Sequence, residues 1–347
     1  MSGSRSPRKR ARPSGGRARP RPNPRPGPAP GPRPPARPAP RPLVGAPPAR
    51  PLPNVGYTGL LTDASGPFRS RAALGLVLVA LGYLVVTTLL MDAGAAVSWL
   101  ARGRHGSFSD GYALVASYGV VEGVAVVDLA LASVVLVVLA VARWLNGRAP
   151  GWTCSVEGRL RPGLLGCCLV IGFVVLNAVY LLGGADRSGG SGPPEHAWIW
   201  VLLVLLTSPL QAAGEEFLFR GYVQQAVGAL TGRTWAAVGA SALVFALMHG
   251  TQNAALFIDR LGFGLVAGAV VVATGGLEAS IAVHAANNVS SFCYAVAAGT
   301  VSQTRLIDES TWSTTAPNLV AYALCGALAV LAARLLGRRR TTGPGPV

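Results

Sequence analysis

Long apolar runs separated by short polar connections dominate the chain. A helix needs about 20 apolar residues to cross the hydrocarbon core of a bilayer. By that criterion the sequence predicts eight spans, near 72–91, 123–143, 163–183, 197–214, 235–250, 260–275, 278–298 and 318–336. The fifth and sixth are short and rich in glycine. The predicted fold class is all-α: a polytopic membrane helix bundle of about eight transmembrane helices over residues 66–340. No internal repeat is visible, which counts against a transporter built from inverted repeats.

Composition agrees and adds a tail. Of 347 residues, 51% are hydrophobic and 13% charged, as in a membrane protein. The net charge of +16 is unevenly spread. Residues 1–50 hold 13 Lys plus Arg and no acid, leaving 17 basic against 14 acidic residues over the other 297. The stretch "RPRPNPRPGPAPGPRPPARPAPRP" has too little apolar surface to offset chain entropy. Residues 1–65 are therefore predicted to form a disordered tail with local polyproline II character. Its expected partner is the anionic headgroup layer of a membrane. Nucleic acid is not an expected partner, since the tail lacks interleaved aromatics and a folded scaffold. No apolar h-region follows Met1, so no cleavable signal peptide is expected.

Charge bias gives an orientation. The basic tail places the N-terminus in the cytoplasm, and eight spans return Arg338, Arg339 and Arg340 to the same side. Arg143, Arg148, Arg159 and Arg161 lie between the second and third spans, whereas the next connection carries Asp186, Arg187 and Glu195. A multi-pass plasma-membrane protein with both termini cytoplasmic is predicted. The Arg-, Ala-, Pro- and Gly-rich composition points to a GC-rich bacterium. Five cysteines (Cys154, Cys167, Cys168, Cys293 and Cys325) show no metal-like spacing and read as buried small hydrophobes.

Against this background a few polar residues stand out, because charge at membrane depth costs several kcal/mol per group unless paired or wetted. They are Glu215, Glu216 and Arg220 in "GEEFLFR", His249 in "FALMHG", and His284 and Asn288 in "HAANN". Glu216 and Arg220 are four residues apart on a helix and share a face, so they can pair. Glu215 is turned about 100° away and stays free for a cavity. His284 and Asn288 are also i and i+4, while Phe245 lies one turn before His249. A carboxylate, two imidazoles and an amide from three helices can converge only in a bundle core. Such a set can activate a water, stabilise an oxyanion or ligate a metal. Asp128 and Asn177 fall inside other spans and read first as structural contacts between helices.

These residues fit three ordered patterns: E-E-x-x-x-R in "EEFLFR", F-x-x-x-H in "FALMH" and H-x-x-x-N in "HAANN". Together, over residues 197–298, they resemble the CPBP intramembrane proteases, the family of CAAX proteases and bacteriocin-processing enzymes. The resemblance implies hydrolysis of a peptide bond in a membrane-associated or lipidated protein or peptide. In that reading Glu215 and His249 activate water, His284 and Asn288 stabilise the oxyanion, and Glu216, Arg220 and Phe245 support the site. Family members are described as metalloproteases and also as metal-free glutamate proteases. Glu215, His249 and His284 offer donors for zinc or another divalent metal, though without an H-E-x-x-H helix, and both alternatives stand. Two other classes compete: a proton-coupled transporter using Glu215, His249 and His284 as a relay, and a non-proteolytic membrane scaffold or immunity protein. Clustering of the polar residues in one stretch disfavours the first, and the complete motif set disfavours the second.

Overall fold

The computed structural model describes residues 49–64, 68–182 and 190–344. Most of the predicted tail, together with Asp186 and Arg187 of the predicted outer connection, lies outside the described residues. Among the described residues regular structure is helical, without strands. That is the expected solution in lipid, where a helix satisfies its own backbone polar groups. The main elements are α1 (Phe68–Ala101), α2 (Phe108–Ala116), α3 (Val121–Leu145), α4 (Pro162–Leu182) and α5 (Ala197–Thr231). They are followed by α6 (Thr234–Leu247), α7 (Ala254–Thr274), α8 (Glu278–Ala298) and α9 (Trp312–Leu335).

Six of these, α1, α3, α4, α5, α7 and α9, are long and apolar enough to cross a membrane. Two of the eight predicted spans do not meet that standard. Helix α6 has 14 residues, about 21 Å at the α-helical rise, which is short of the hydrocarbon thickness. Helix α8 has 21 residues but carries Glu278, His284, Asn287 and Asn288. It tolerates them because it packs between α4 and α5, while α3 lies on α5 and α7 contacts both α6 and α9. Every residue from Glu278 to Ala286 is buried. By contrast α1 turns Leu74, Val77, Leu81, Leu84, Val85 and Leu89 outward, a face suited to acyl chains. The chain is a multi-pass membrane bundle.

Two sequence expectations change. The fourth span, predicted to end at residue 214, continues unbroken to Thr231, so Glu215 and Glu216 sit in mid-helix. Hydropathy drops at the first charges, but the helix persists because those side chains face protein. From Phe217 to Val223 the backbone widens into a π-helix, a feature frequent at functional sites. At Gly214, α5 lies so close to α3 that an added Cβ would stand 2.6 Å from the Leu131 carbonyl oxygen.

Second, the tail prediction to residue 65 fails for residues 49–64, which belong to the same compact unit as the helices. Tyr57, Leu60 and Leu61 are buried in the main core and supply the apolar area that the preceding repeat lacks. The Tyr57 hydroxyl donates to the Thr153 carbonyl at 2.5 Å.

Two arginines of the connection between the second and third predicted spans are buried. Arg148 donates to the carbonyls of Arg50 and Thr62 at 2.9 and 2.7 Å. Arg161 pairs with Glu278 through Nε at 2.9 Å and Nη2 at 2.5 Å, pinning the first turn of α8. Among the cysteines, Cys154, Cys168 and Cys325 are buried as predicted, whereas Cys167 is exposed and Cys293 half-buried; none forms a disulfide. Burial pushes the Cys154 thiol up to about 11, away from thiolate chemistry at neutral pH.

Candidate active site

The site forms where α5, the turn after α6, and α8 converge. Glu216 and Arg220 are fully buried, and Arg220 Nη1 donates to Glu216 Oε1 at 2.8 Å. The guanidinium lies 4.5 Å over the Phe245 ring, a cation–π contact strengthened by the dry surroundings. Phe263 and Phe219 flank it at 5.7 and 6.0 Å. Phe245 thus joins the arginine to the histidines, with ring centroids 4.6 Å from His249 and 5.9 Å from His284.

Glu216 has a second partner. His284 Nδ1 lies 2.9 Å from Glu216 Oε1. A carboxylate paired with arginine is an acceptor, so Nδ1 carries the proton and Nε2 is turned the other way. Glu215 Oε2 stands 3.6 Å from that Nε2, beyond a direct hydrogen bond. One carboxylate therefore orients the imidazole while the other faces its free nitrogen. The adjacent glutamates do different work because consecutive helical positions point about 100° apart.

Glu215 is held by a residue that motif reading passed over. Gln211 Nε2 donates to Glu215 Oε1 at 2.5 Å, and Asn288 Nδ2 donates to Gln211 Oε1 at 2.8 Å. The chain Asn288–Gln211–Glu215 links α8 to α5 and fixes the carboxylate. The signal was available, since Gln211 precedes Glu215 by four residues and shares its face. Asn287 Nδ2 in turn donates to Asn288 Oδ1 at 3.2 Å. His249, just beyond α6, is accessible rather than buried. Its Nδ1 lies 2.7 Å from the Phe245 carbonyl oxygen, which can only accept. This fixes the tautomer with the proton on Nδ1 and leaves Nε2 as the basic nitrogen of neutral His249.

Glu215, His249, His284 and Asn288 all line one cavity of about 720 Å³. Asp128 lines it too, but its oxygens accept from Tyr118 at 2.6 Å and from Thr207 and Ser208 at 2.8 Å. Those bonds tie α3 to α5, a structural assignment. Asn177 similarly joins α4 to α8, donating to Ser290 Oγ at 2.9 Å and accepting from the Tyr294 hydroxyl at 2.6 Å. Among the described residues no group of three His, Cys, Asp or Glu side chains is arranged to hold a metal ion. In the set Glu215, His249 and His284, each histidine spends Nδ1 on an acceptor, Glu216 or the Phe245 carbonyl, and keeps Nε2 free, the pattern a ligating histidine also shows.

Fold and site define a multi-pass helical membrane protein with ionisable groups gathered around an internal cavity. Residues 196–290 match the family model described as Type II CAAX prenyl endopeptidase Rce1-like. The match over this stretch is consistent with a CPBP family intramembrane protease. It runs from α5 into α8 and holds every motif residue above. Over 98 residues the chain is 35% identical to the Bacillus subtilis (strain 168) protein named "Uncharacterized protein YyaK", covering 26% of this chain. The chain spans about a third (33%) of the length of that curated relative. No solved structure matches.

Proposed function

We propose that this protein is an intramembrane endopeptidase that hydrolyses a peptide bond of a membrane-associated or lipidated protein or peptide. The observation that carries the reading is the arrangement around Glu215. A carboxylate fixed by Gln211 faces His284 Nε2 across 3.6 Å, inside a cavity large enough for an extended peptide segment. A water seated beside this pair, on the cavity side, can reach both atoms.

Glu215 takes a proton from that water as its oxygen adds to the scissile carbonyl carbon. His249 Nε2, held basic by the Phe245 carbonyl, is the second acceptor on the cavity wall. The carbonyl oxygen becomes an oxyanion, stabilised by the Asn288 N–H not used on Gln211. The C–N bond breaks as the proton on Glu215 passes to the leaving amine. Glu216 and Arg220 hold His284 and take no proton. Cleavage of a fluorogenic peptide library by the purified full-length chain tests the reading, and no cleavage above that of a Glu215→Gln control would end it.

The reaction is proposed to proceed without a metal, since among the described residues no three His, Cys, Asp or Glu side chains are grouped to hold one. Cleavage should stay within about twofold of its starting rate after dialysis against a strong chelator. A loss of tenfold or more, restored by zinc, would show that the side chains rearrange around an ion.

We place the protein in the plasma membrane with both termini cytoplasmic, supported by the basic first 50 residues and by Arg338, Arg339 and Arg340. A reporter inserted at Gly190 should then read as external. A cytoplasmic signal there would reverse the orientation.

A further inference from the structure

The wall of the catalytic cavity carries two guanidinium groups that the mechanism above does not use, Arg260 on α7 and Arg305 at the end of the short helix Val301–Arg305. Neither has a carboxylate within ion-pair distance among the described residues. Arg305 lies with its Cζ 5.4 Å over the Tyr118 ring, and its Nε is buried without a hydrogen-bond partner. Arg260 spends its nitrogens on neutral acceptors, with Nη1 donating to Gln252 Oε1 at 2.8 Å and Nη2 to the Ile307 carbonyl at 3.2 Å. The second bond ties α7 to the connection that carries Arg305, so the two cations are held on one part of the wall.

The acids of the same cavity are occupied elsewhere. Asp128 accepts three hydroxyls, Glu215 accepts Gln211, and Asp259 accepts Asn318 at 3.0 Å and the Tyr322 hydroxyl at 3.3 Å. Asp308 also lines the cavity and is exposed. A buried, unsatisfied N–H is costly and is normally explained by a missing acceptor. Two guanidinium groups in a protein-lined cavity, one hydrogen-bonded and one over the Tyr118 ring, match a carboxylate in particular, because the guanidinium presents paired donors to its two oxygens.

We propose that Arg305 and Arg260 form an anion subsite that binds a carboxylate of the peptide substrate and so sets which bond reaches Glu215. The carboxylate is either the free chain terminus or an Asp or Glu side chain. This rests on the peptidase reading for its purpose, but binding can be judged separately from cleavage.

The experiment uses full-length protein bearing Glu215→Gln, so that bound peptide is not consumed. Three fluorescent pools of random uncharged decapeptides are titrated: amidated, free-acid, and amidated with one internal Glu. At least one anionic pool should bind about tenfold more tightly than the amidated pool, and which one identifies the source. Adding Arg305→Gln should reduce that preference to about twofold or less. Arg305→Lys should keep part of it, since charge without the fork still attracts. Arg260→Gln removes a tie to the Ile307 carbonyl and is read alongside a melting curve. The proposal is overturned if no pool is preferred, if the preference survives Arg305→Gln, or if inorganic phosphate or a short-chain anionic lipid displaces peptide from all pools equally. With Glu215 intact, the Arg305→Gln variant should raise KM for the preferred pool with little change in kcat. Failure of all cleavage by the parent would end the peptidase reading while the binding arm still decides the subsite.

Discussion

Glu215→Gln is expected to leave the bundle folded and to lower peptide cleavage by at least about 100-fold, the lower range for a lost general base. The amide keeps the size of the carboxylate, and its oxygen still accepts the Gln211 N–H that holds the position at 2.5 Å. What disappears is the ability to take a proton from water. Glu215 is separate from the Arg220 pair, so no buried ion is orphaned by the change. The expected result is a melting curve close to that of the parent together with near-complete loss of product. Near-parental cleavage by this variant would move the base elsewhere, with His249 Nε2 the first candidate. A second variant, Gln211→Ala, separates positioning from chemistry. It leaves the carboxylate in place but frees it, so its effect should be smaller and rescued in part by Gln211→Asn but not by Gln211→Glu, whose carboxylate cannot donate to Glu215.

The opposite pattern is expected one residue along. Arg220→Ala leaves Glu216, fully buried, with His284 as its remaining charged-capable partner. Breaking a buried pair by removing one member typically costs about 3–5 kcal/mol, because the survivor stays in a low-dielectric site. The loss also empties the space over Phe245, where the guanidinium packs at 4.5 Å. Poor expression, a clearly lower detergent melt and loss of cleavage are expected together. Arg220→Lys should recover less than a simple charge count suggests, since an ammonium cannot both pair with Glu216 and stack flat on the ring. If Arg220→Ala melted with the parent, the pair would contribute nothing to stability, and Glu216 would have to be neutral or hydrated.

The contrast between adjacent glutamates shows where sequence and structure divide. The sequence by itself determined that the protein is a helical membrane bundle, since runs of apolar residues near bilayer length leave few other solutions. It also singled out Glu215, Glu216, Arg220, His249, His284 and Asn288, because ionisable residues are costly in such runs and stand out against them. Helical spacing alone made Glu216 and Arg220 neighbours.

Tertiary packing decided the rest. That α8 can carry Glu278, His284 and Asn288 depends on α4 and α5 surrounding it, and no local window of sequence contains those neighbours. The hydropathy criterion ended α5 at residue 214 because it scores every polar residue as if it faced lipid; the helix continues to Thr231 because these face protein. Arg148 and Arg161 are buried, and their partners lie 86 and 117 residues away at Thr62 and Glu278. His284 joined Glu216 across 68 residues, and Gln211 met Asn288 across 77. Spacing along one helix is local geometry and legible in a string of letters. Which nitrogen of His284 meets which carboxylate is fixed by the packing of two helices, and only the folded bundle contains that information.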